Sequence, residues 1–227
     1  MLEFLEKTNL KLNKECLDKL EEFKNLLIFW NNKFNLTSII DDLGIEIKHF
    51  EDSLINEGYF FKNANVAEVG SGGGFPSIPL MILRRDLEFT LIESVNKKCI
   101  FLNEVIKKLN LNAKVLNIRA EDGAKNVNLR EKFDHVTARA VARLNTLCEY
   151  CIPFIKIGGT FIAYKGSDVL EEVEAQNAVK KLGATLYKKE SYPLFNNGER
   201  NIYVYKKIEK TDAKYPRGNG KERKNPL

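Results

Sequence analysis

Val66-Ala67-Glu68-Val69-Gly70-Ser71-Gly72-Gly73-Gly74-Phe75-Pro76 is the stretch whose reading decides the fold. Residues 66–69 form a short, mainly apolar run of the kind found in a strand buried on both faces. Four of the next five residues are glycine, and Pro76 then opens a helical stretch in its first turn, where a missing N–H costs nothing. Glycine lets the chain turn sharply and lets a ligand approach the main chain with no Cβ in the way. The helix beyond it offers free N–H groups to a negatively polarised group. A tight turn with no ligand would satisfy the same letters, but this density of glycine favours a binding loop.

Outward from that loop, short apolar runs at 66–69, 89–92, 115–118, 135–138 and 160–164 alternate with helical stretches at 77–84, 96–110, 144–154 and 169–182. Such alternation predicts an α/β, Rossmann-like fold with a parallel sheet covered by helices on both faces. Two further strands, 185–192 and 201–207, are separated by Phe195-Asn196-Asn197-Gly198, a hairpin signal longer than the two-residue form. Seven strands are therefore expected, five parallel and a C-terminal antiparallel pair. Before them, Leu17, Leu20, Phe23, Leu27, Trp30 and Phe34 recur at helical spacing, and a second helix is expected over 42–57. Asn35-Leu36-Thr37-Ser38 breaks the two apart. The expected organisation is a helical cap over 1–60, a sheet domain over 61–208 and a basic tail over 209–227.

Composition narrows the classes. The 227 residues carry 36 Lys and Arg against 31 Asp and Glu, and 44 % are hydrophobic, which suits a globular chain with its own core. No apolar run approaches the ~18 residues of a membrane span, and the N-terminus has no apolar signal core. A soluble, cytoplasmic protein with no membrane partner is expected. Cys148 and Cys151 form a C-x-x-C pair, but a zinc site would need two further ligands from scattered positions, so buried free thiols and no metal are expected. From Lys206 to Leu227 there are eight basic and three acidic residues, so this tail carries the whole net charge of +5. It is either a solvated terminus or a phosphate-binding arm.

The ligand class is set by spacing. A dinucleotide fingerprint would want a third glycine at position 75, where this chain has Phe75. Gly70, Gly72 and Gly74 after the acidic Glu68 match instead the first motif of S-adenosylmethionine methyltransferases. Glu93 ends the next strand about 20 residues on, where a carboxylate can accept both ribose hydroxyls, a feature NAD would share. Arg119-Ala120-Glu121-Asp122 comes after the third strand, the usual place for residues beside an adenine.

Taken together, Asn35-Leu36-Thr37-Ser38-Ile39, His49-Phe50-Glu51-Asp52-Ser53-Leu54, the glycine loop, Lys97-Lys98 with Phe101-Leu102, Arg119-Ala120-Glu121, Phe133-Asp134 with Arg139-Ala140-Val141-Ala142, Tyr164-Lys165-Gly166 and Lys214-Tyr215-Pro216-Arg217 fall in one family's order. From about residue 30 onward the chain resembles the ribosomal RNA small-subunit guanine-N7 methyltransferase family RsmG, also called GidB. The resemblance implies S-adenosylmethionine as donor and nitrogen-7 of one guanine in the decoding region of 16S ribosomal RNA as acceptor; a monomer is expected, although the sequence itself is silent on oligomeric state. It implies a cofactor site of Gly70, Gly72, Gly74, Phe75, Glu93, Ala120, Glu121 and Arg139. Glu68 stands where the family usually has Asp, and Ser77 where it usually has Gly.

The guanine N7 lone pair is free in the neutral base, so no general base is required and positioning can supply the catalysis. No residue is assigned as a certain catalyst; Arg139 and Lys165 are the positioning candidates, and His49 and His135 are expected to be structural. RNA backbone contacts are expected from Lys165, Arg200, Lys214, Arg217, Lys221, Arg223 and Lys224. Two alternatives stay open: an assembly factor that keeps the pocket without turnover, and a small-molecule enzyme on a similar sheet.

Overall fold

The computed structural model describes residues 2–195 and 198–227. At its centre β1 (Asn65–Val69) runs parallel to β2 (Glu88–Glu93) on one side and β4 (Phe133–Arg139) on the other. β3 (Ala113–Asn117) flanks β2 and β5 (Ile155–Lys165) flanks β4, again parallel. β7 (Glu199–Lys207) returns antiparallel along β5, and β6 (Ala184–Pro193) pairs antiparallel with β7. Among the described residues the order is β3-β2-β1-β4-β5-β7-β6, the seven strands expected, five of them parallel. Asn196 and Asn197, on which the hairpin signal rests, lie outside the described residues.

Alternation along each parallel strand feeds two cores. Val66 and Phe89 face one side, where they meet Phe23 and Leu27 of α1 (Lys14–Phe34), Ile78 of α4 (Ser77–Leu83) and Phe101 of α5 (Asn96–Leu109). Ala67, Val136 and Phe161 face the other, against Leu147 of α7 (Leu144–Cys151) and Ala175 of α8 (Leu170–Lys181). Burial on both faces explains why these strands read as continuous apolar runs. The N-terminal helices have no core of their own: Leu20, Phe23, Leu27 and Phe50 are fully buried in the same cluster as the sheet.

The chain leaves α1 at Asn35, whose left-handed backbone (φ +50°) ends the helix. The Asn31 side chain then accepts the N–H groups of Leu36 and Thr37 at 2.6 and 2.8 Å, fixing the loop that follows α1. The single helix expected over 42–57 is corrected by the structure. α2 (Asp42–Gly44) passes into a π-helical turn, Ile45–Glu51, before α3 (Asp52–Leu54) resumes α geometry. A π turn holds one more residue than an α turn and so rotates the side chains of Lys48, His49 and Asp52 relative to a regular helix.

The basic tail is docked on the body. Arg130 donates to the carbonyls of Thr211, Asp212 and Tyr215, and Tyr215 is buried. Lys207 is fully buried and donates to the carbonyls of Ile152 and Leu182 and to the Thr211 hydroxyl. Burial pulls its ammonium down to about 8. A short helix, α9 (Lys221–Lys224), lies against α7, with the Thr146 hydroxyl donating to the carbonyl of Glu222 at 2.8 Å. Cys148 and Cys151 are buried free thiols, both raised by burial. Among the described residues no helix is long and apolar enough to cross a membrane.

Candidate functional site

The glycine loop joins β1 to α4 at the carboxyl edge of the sheet, where strand order reverses and open α/β sheets bind ligands. Gly70 has φ +72°, and a Cβ there would lie 2.6 Å from Val141 Cγ2; at Gly74, φ +86°, it would lie 2.5 Å from Ile78 Cγ1. Packing therefore demands these two glycines. At Gly72 the nearest atom to an added Cβ is the Gly70 carbonyl at 3.7 Å, so the main chain there borders open space. Glu93 ends β2 with its carboxylate buried; one oxygen accepts the Gly72 N–H at 2.9 Å and the other the Val95 N–H at 2.8 Å. Each oxygen keeps a lone pair for a further donor.

Three pockets run side by side along this edge. The first, about 360 Å³, lies between Gly70, Ile118, Ala120, Glu121 and Tyr150; Ala120 and Glu121 open the short helix α6 (Ala120–Gly123). The second, about 370 Å³, lies between Thr37, Gly72, Phe75, Lys98 and Arg139. The third, about 430 Å³, is lined by Lys48, Asp52, Tyr164, Lys165 and Arg200. Gly70 borders the first two, and Ile39, His49, Arg139 and Ala140 border the last two. Shared walls make them neighbours along one edge of the sheet.

Arg139 is the hinge between the second and third pockets. It ends β4, just before Ala140 turns the chain away with φ +57°. Its Nη1 donates to Asp52 at 2.7 Å and to the Lys48 carbonyl at 3.1 Å, and its Nη2 donates to His49 Nδ1 at 3.2 Å. The guanidinium lies 5.1 Å from the centre of the Phe75 ring, on which the His49 imidazole stacks at 4.2 Å. Burial, and then the Arg139 charge, pull His49 down to about 3, so the ring is neutral throughout the physiological range. Asp52 also accepts from Tyr192 at 3.0 Å and lies 3.8 Å from Arg200 Nε. Lys165, at the end of β5, donates to the Ala142 carbonyl at 2.9 Å and pairs with Glu171 at 2.7 Å.

Glu68 and Ser77, singled out together in the sequence, touch each other. The Ser77 hydroxyl donates to the Glu68 carboxylate, and both side chains are fully buried. Burial pushes Glu68 up to about 7. The longer side chain of glutamate is thus met by a hydroxyl at the position where glycine would offer none.

The remaining residues singled out in the sequence separate into groups. Arg217 is engaged by Glu149, itself only 1 % exposed, through its main-chain N–H and its guanidinium. Arg223 reaches the Val141 carbonyl at 3.3 Å and lines the first pocket beside Tyr150. Lys214 is exposed and paired with Asp212, while Lys221 and Lys224 are exposed. His135 is buried far from the cleft; it sits 2.7 Å from the Thr160 hydroxyl, accepts the Phe61 N–H, and is pulled down to about 4 by burial. Sequence reasoning placed Thr37 and Asp52 inside motifs without giving them a role, and missed Tyr150 and Tyr192. The signal for all four is position in the fold rather than local pattern. Among the described residues no cluster of three His, Cys, Asp or Glu side chains could hold a metal.

A sulfonium nucleoside fits these residues, as the open main chain at Gly72 and the preorganised Glu93 carboxylate show. The fold and this cleft define an S-adenosylmethionine-dependent methyltransferase on a Rossmann-like sheet. In fold the chain is similar to TYW2 from M. jannaschii, solved in complex with AdoMet (TM-score 0.57, 19 % identity, 75 % of this chain and 80 % of that one). It is similar too to a SAM-dependent O-methyltransferase from Thermotoga maritima (TM-score 0.55, 12 % identity, 82 % and 73 %). The family described as rRNA small subunit methyltransferase G, GidB, matches residues 16–203, and the chain belongs to it. Relatives named ribosomal RNA small subunit methyltransferase G include those of Desulforamulus reducens, 46 % identical over 91 % of this chain and 88 % of that one, and Clostridium beijerinckii, 42 % identical over 98 % and 95 %.

Proposed function

We propose that this chain transfers the methyl group of S-adenosylmethionine to nitrogen-7 of one guanine in 16S ribosomal RNA. The observation that carries this reading is the shared wall of the second and third pockets. His49, Arg139 and Ala140 line both, so a donor in one and an unstacked base in the other would lie on either side of the same few residues.

S-adenosylmethionine supplies a methyl group on a positively charged sulfur. The N7 lone pair of guanine forms the new N–C bond as the S–C bond breaks, and that bonding pair stays on sulfur; the base becomes cationic and the sulfur neutral. The protein's work is alignment and exclusion of water, worth several kcal/mol when two reactants are held within attack distance. No proton has to be removed. His49 could not remove one in any case, since its Nδ1 lone pair faces Arg139. Asp52 is the acid among the described residues that line the third pocket, and it offers a negative charge to the cation formed there. Phosphate contacts come from cations around the cleft mouth and the tail: Lys48, Arg200, Lys214, Lys221 and Lys224. Base choice comes from an unpaired loop, because the A-form major groove is closed to side chains. Such a reaction belongs in the cytoplasm.

Chemical cleavage at methylated guanine in small-subunit RNA tests the reading. One guanine should lose its cleavage in cells lacking this protein and regain it when the chain is restored. A mark that persists without the protein would leave the non-catalytic assembly role standing instead.

A further inference from the structure

Beside the glycine loop, one hydroxyl has its hydrogen bonds dictated by its neighbours. The Thr37 side-chain oxygen lies 2.8 Å from His49 Nε2 and accepts the Ile39 N–H at 3.1 Å. Which way the first of these bonds runs depends on the tautomer of His49. An arginine can only donate, and Arg139 Nη2 is 3.2 Å from His49 Nδ1. That nitrogen therefore presents its lone pair, and the neutral ring carries its proton on Nε2. The Thr37 oxygen then accepts twice, from His49 and from Ile39, and both of its lone pairs are filled. Its own O–H is left to donate, and no described residue receives it.

Thr37 lines the second pocket, next to Gly72 and Phe75. The charged residues on that pocket's wall are Lys98 and Arg139, and no acid is among the described lining residues. Arg139 also keeps its Nε–H and one Nη2–H without a described acceptor. Arg139 shares its charge with Asp52, which is not among this pocket's lining residues; with Lys98, the spare N–H groups of Arg139 and a hydroxyl left to donate, the cavity suits an anion. The anion that a sulfonium nucleoside brings there is the carboxylate of its amino-acid end.

We propose that Thr37 is a donor-binding residue: its hydroxyl, oriented by the chain Asp52–Arg139–His49, donates to the carboxylate of S-adenosylmethionine. The proposal rests on the donor site described above. It also makes that network specify which end of the donor lies in the second pocket, because the adenosine end has no group of matching charge.

Calorimetric titration of the full chain with two nucleosides tests it. S-adenosylhomocysteine carries the carboxylate; 5′-methylthioadenosine keeps the adenosine and sulfur and lacks the amino-acid end. Thr37→Val keeps the shape and removes the O–H. It should weaken S-adenosylhomocysteine about tenfold and leave 5′-methylthioadenosine unchanged, and Thr37→Ser should bind both as the wild type does. Unchanged binding of S-adenosylhomocysteine by Thr37→Val overturns the proposal, as does an equal loss on both nucleosides, which would mean general damage to the pocket. Weaker RNA binding with both nucleosides unaffected would overturn it in favour of a base contact. If the wild type binds neither nucleoside, the donor site itself is wrong, and that failure is separately visible. Should Thr37→Val not fold, Thr37→Ala gives the same contrast between the two ligands.

Discussion

Glu68 shows how a single side chain can tie the glycine loop to pH. Its carboxyl is fully buried against Ser77 and pushed up to about 7 from a usual value near 4.5. The folded chain therefore holds a proton that the unfolded chain gives up between those two values. Its contribution to stability is largest in acid and falls as pH rises through that window, by about 3 kcal/mol in all. Glu68→Gln should remove this loss, so that urea midpoints of the variant and the wild type diverge between pH 5 and 8. Parallel midpoints would mean that Glu68 is ionised without penalty. The two departures at 68 and 77 were legible in the sequence as isolated oddities. Their contact was not, because nine residues and a turn separate them and only the folded loop brings hydroxyl to carboxylate.

At the level of elements, the strands were readable and the tail was not, for opposite reasons. A buried parallel strand announces itself in its own letters, and β1, β2 and β4 were each placed within two residues by their apolar runs, while β5 begins five residues before its expected start because residues 155–159 lack a continuous apolar run. The tail's letters are charged and suggest a solvated arm. It is docked by a handful of pairings with distant residues: Glu149 with Arg217, the Leu182 carbonyl with Lys207 and Thr211, and Arg130 with three carbonyls. The π turn was equally hidden, since its residues are ordinary helix formers and its form is set by the partners they must reach. These pairings carry a prediction. Arg217→Ala leaves the carboxylate of Glu149 buried without its counter-charge, held only by the main-chain N–H of residue 217, and should cost about 3 kcal/mol in denaturant unfolding. A stability within about 0.5 kcal/mol of the wild type, with RNA binding weakened, would return Arg217 to the substrate surface. Through the same docking, Arg223 becomes a wall of the first pocket, a place that its position in a basic run does not suggest.

For the molecule as a whole, the cleft is assembled from parts far apart in the chain. Thr37 comes from the loop after α1, His49 and Asp52 from the helical turns that follow it, the glycine loop and Glu93 from β1 and β2, Arg139 and Lys165 from β4 and β5, and Arg223 from the tail. Motif order signalled that these segments belong to one site, while the distances between them awaited the fold. Because Phe23 and Leu27 of α1 and Phe89 of β2 share one core, the cap has no means of coming loose by itself. Heating should thus give one cooperative transition, and the calorimetric and van't Hoff enthalpies should agree. A donor analogue held by both halves of the cleft should then move that transition intact, by about 2.7 kcal/mol at a hundred times its dissociation constant. Two transitions, with the analogue shifting only one, would show that cap and sheet melt apart. The melting curve of this protein is in that sense a binding assay, with every strand and helix reporting on a ligand that only a few residues touch.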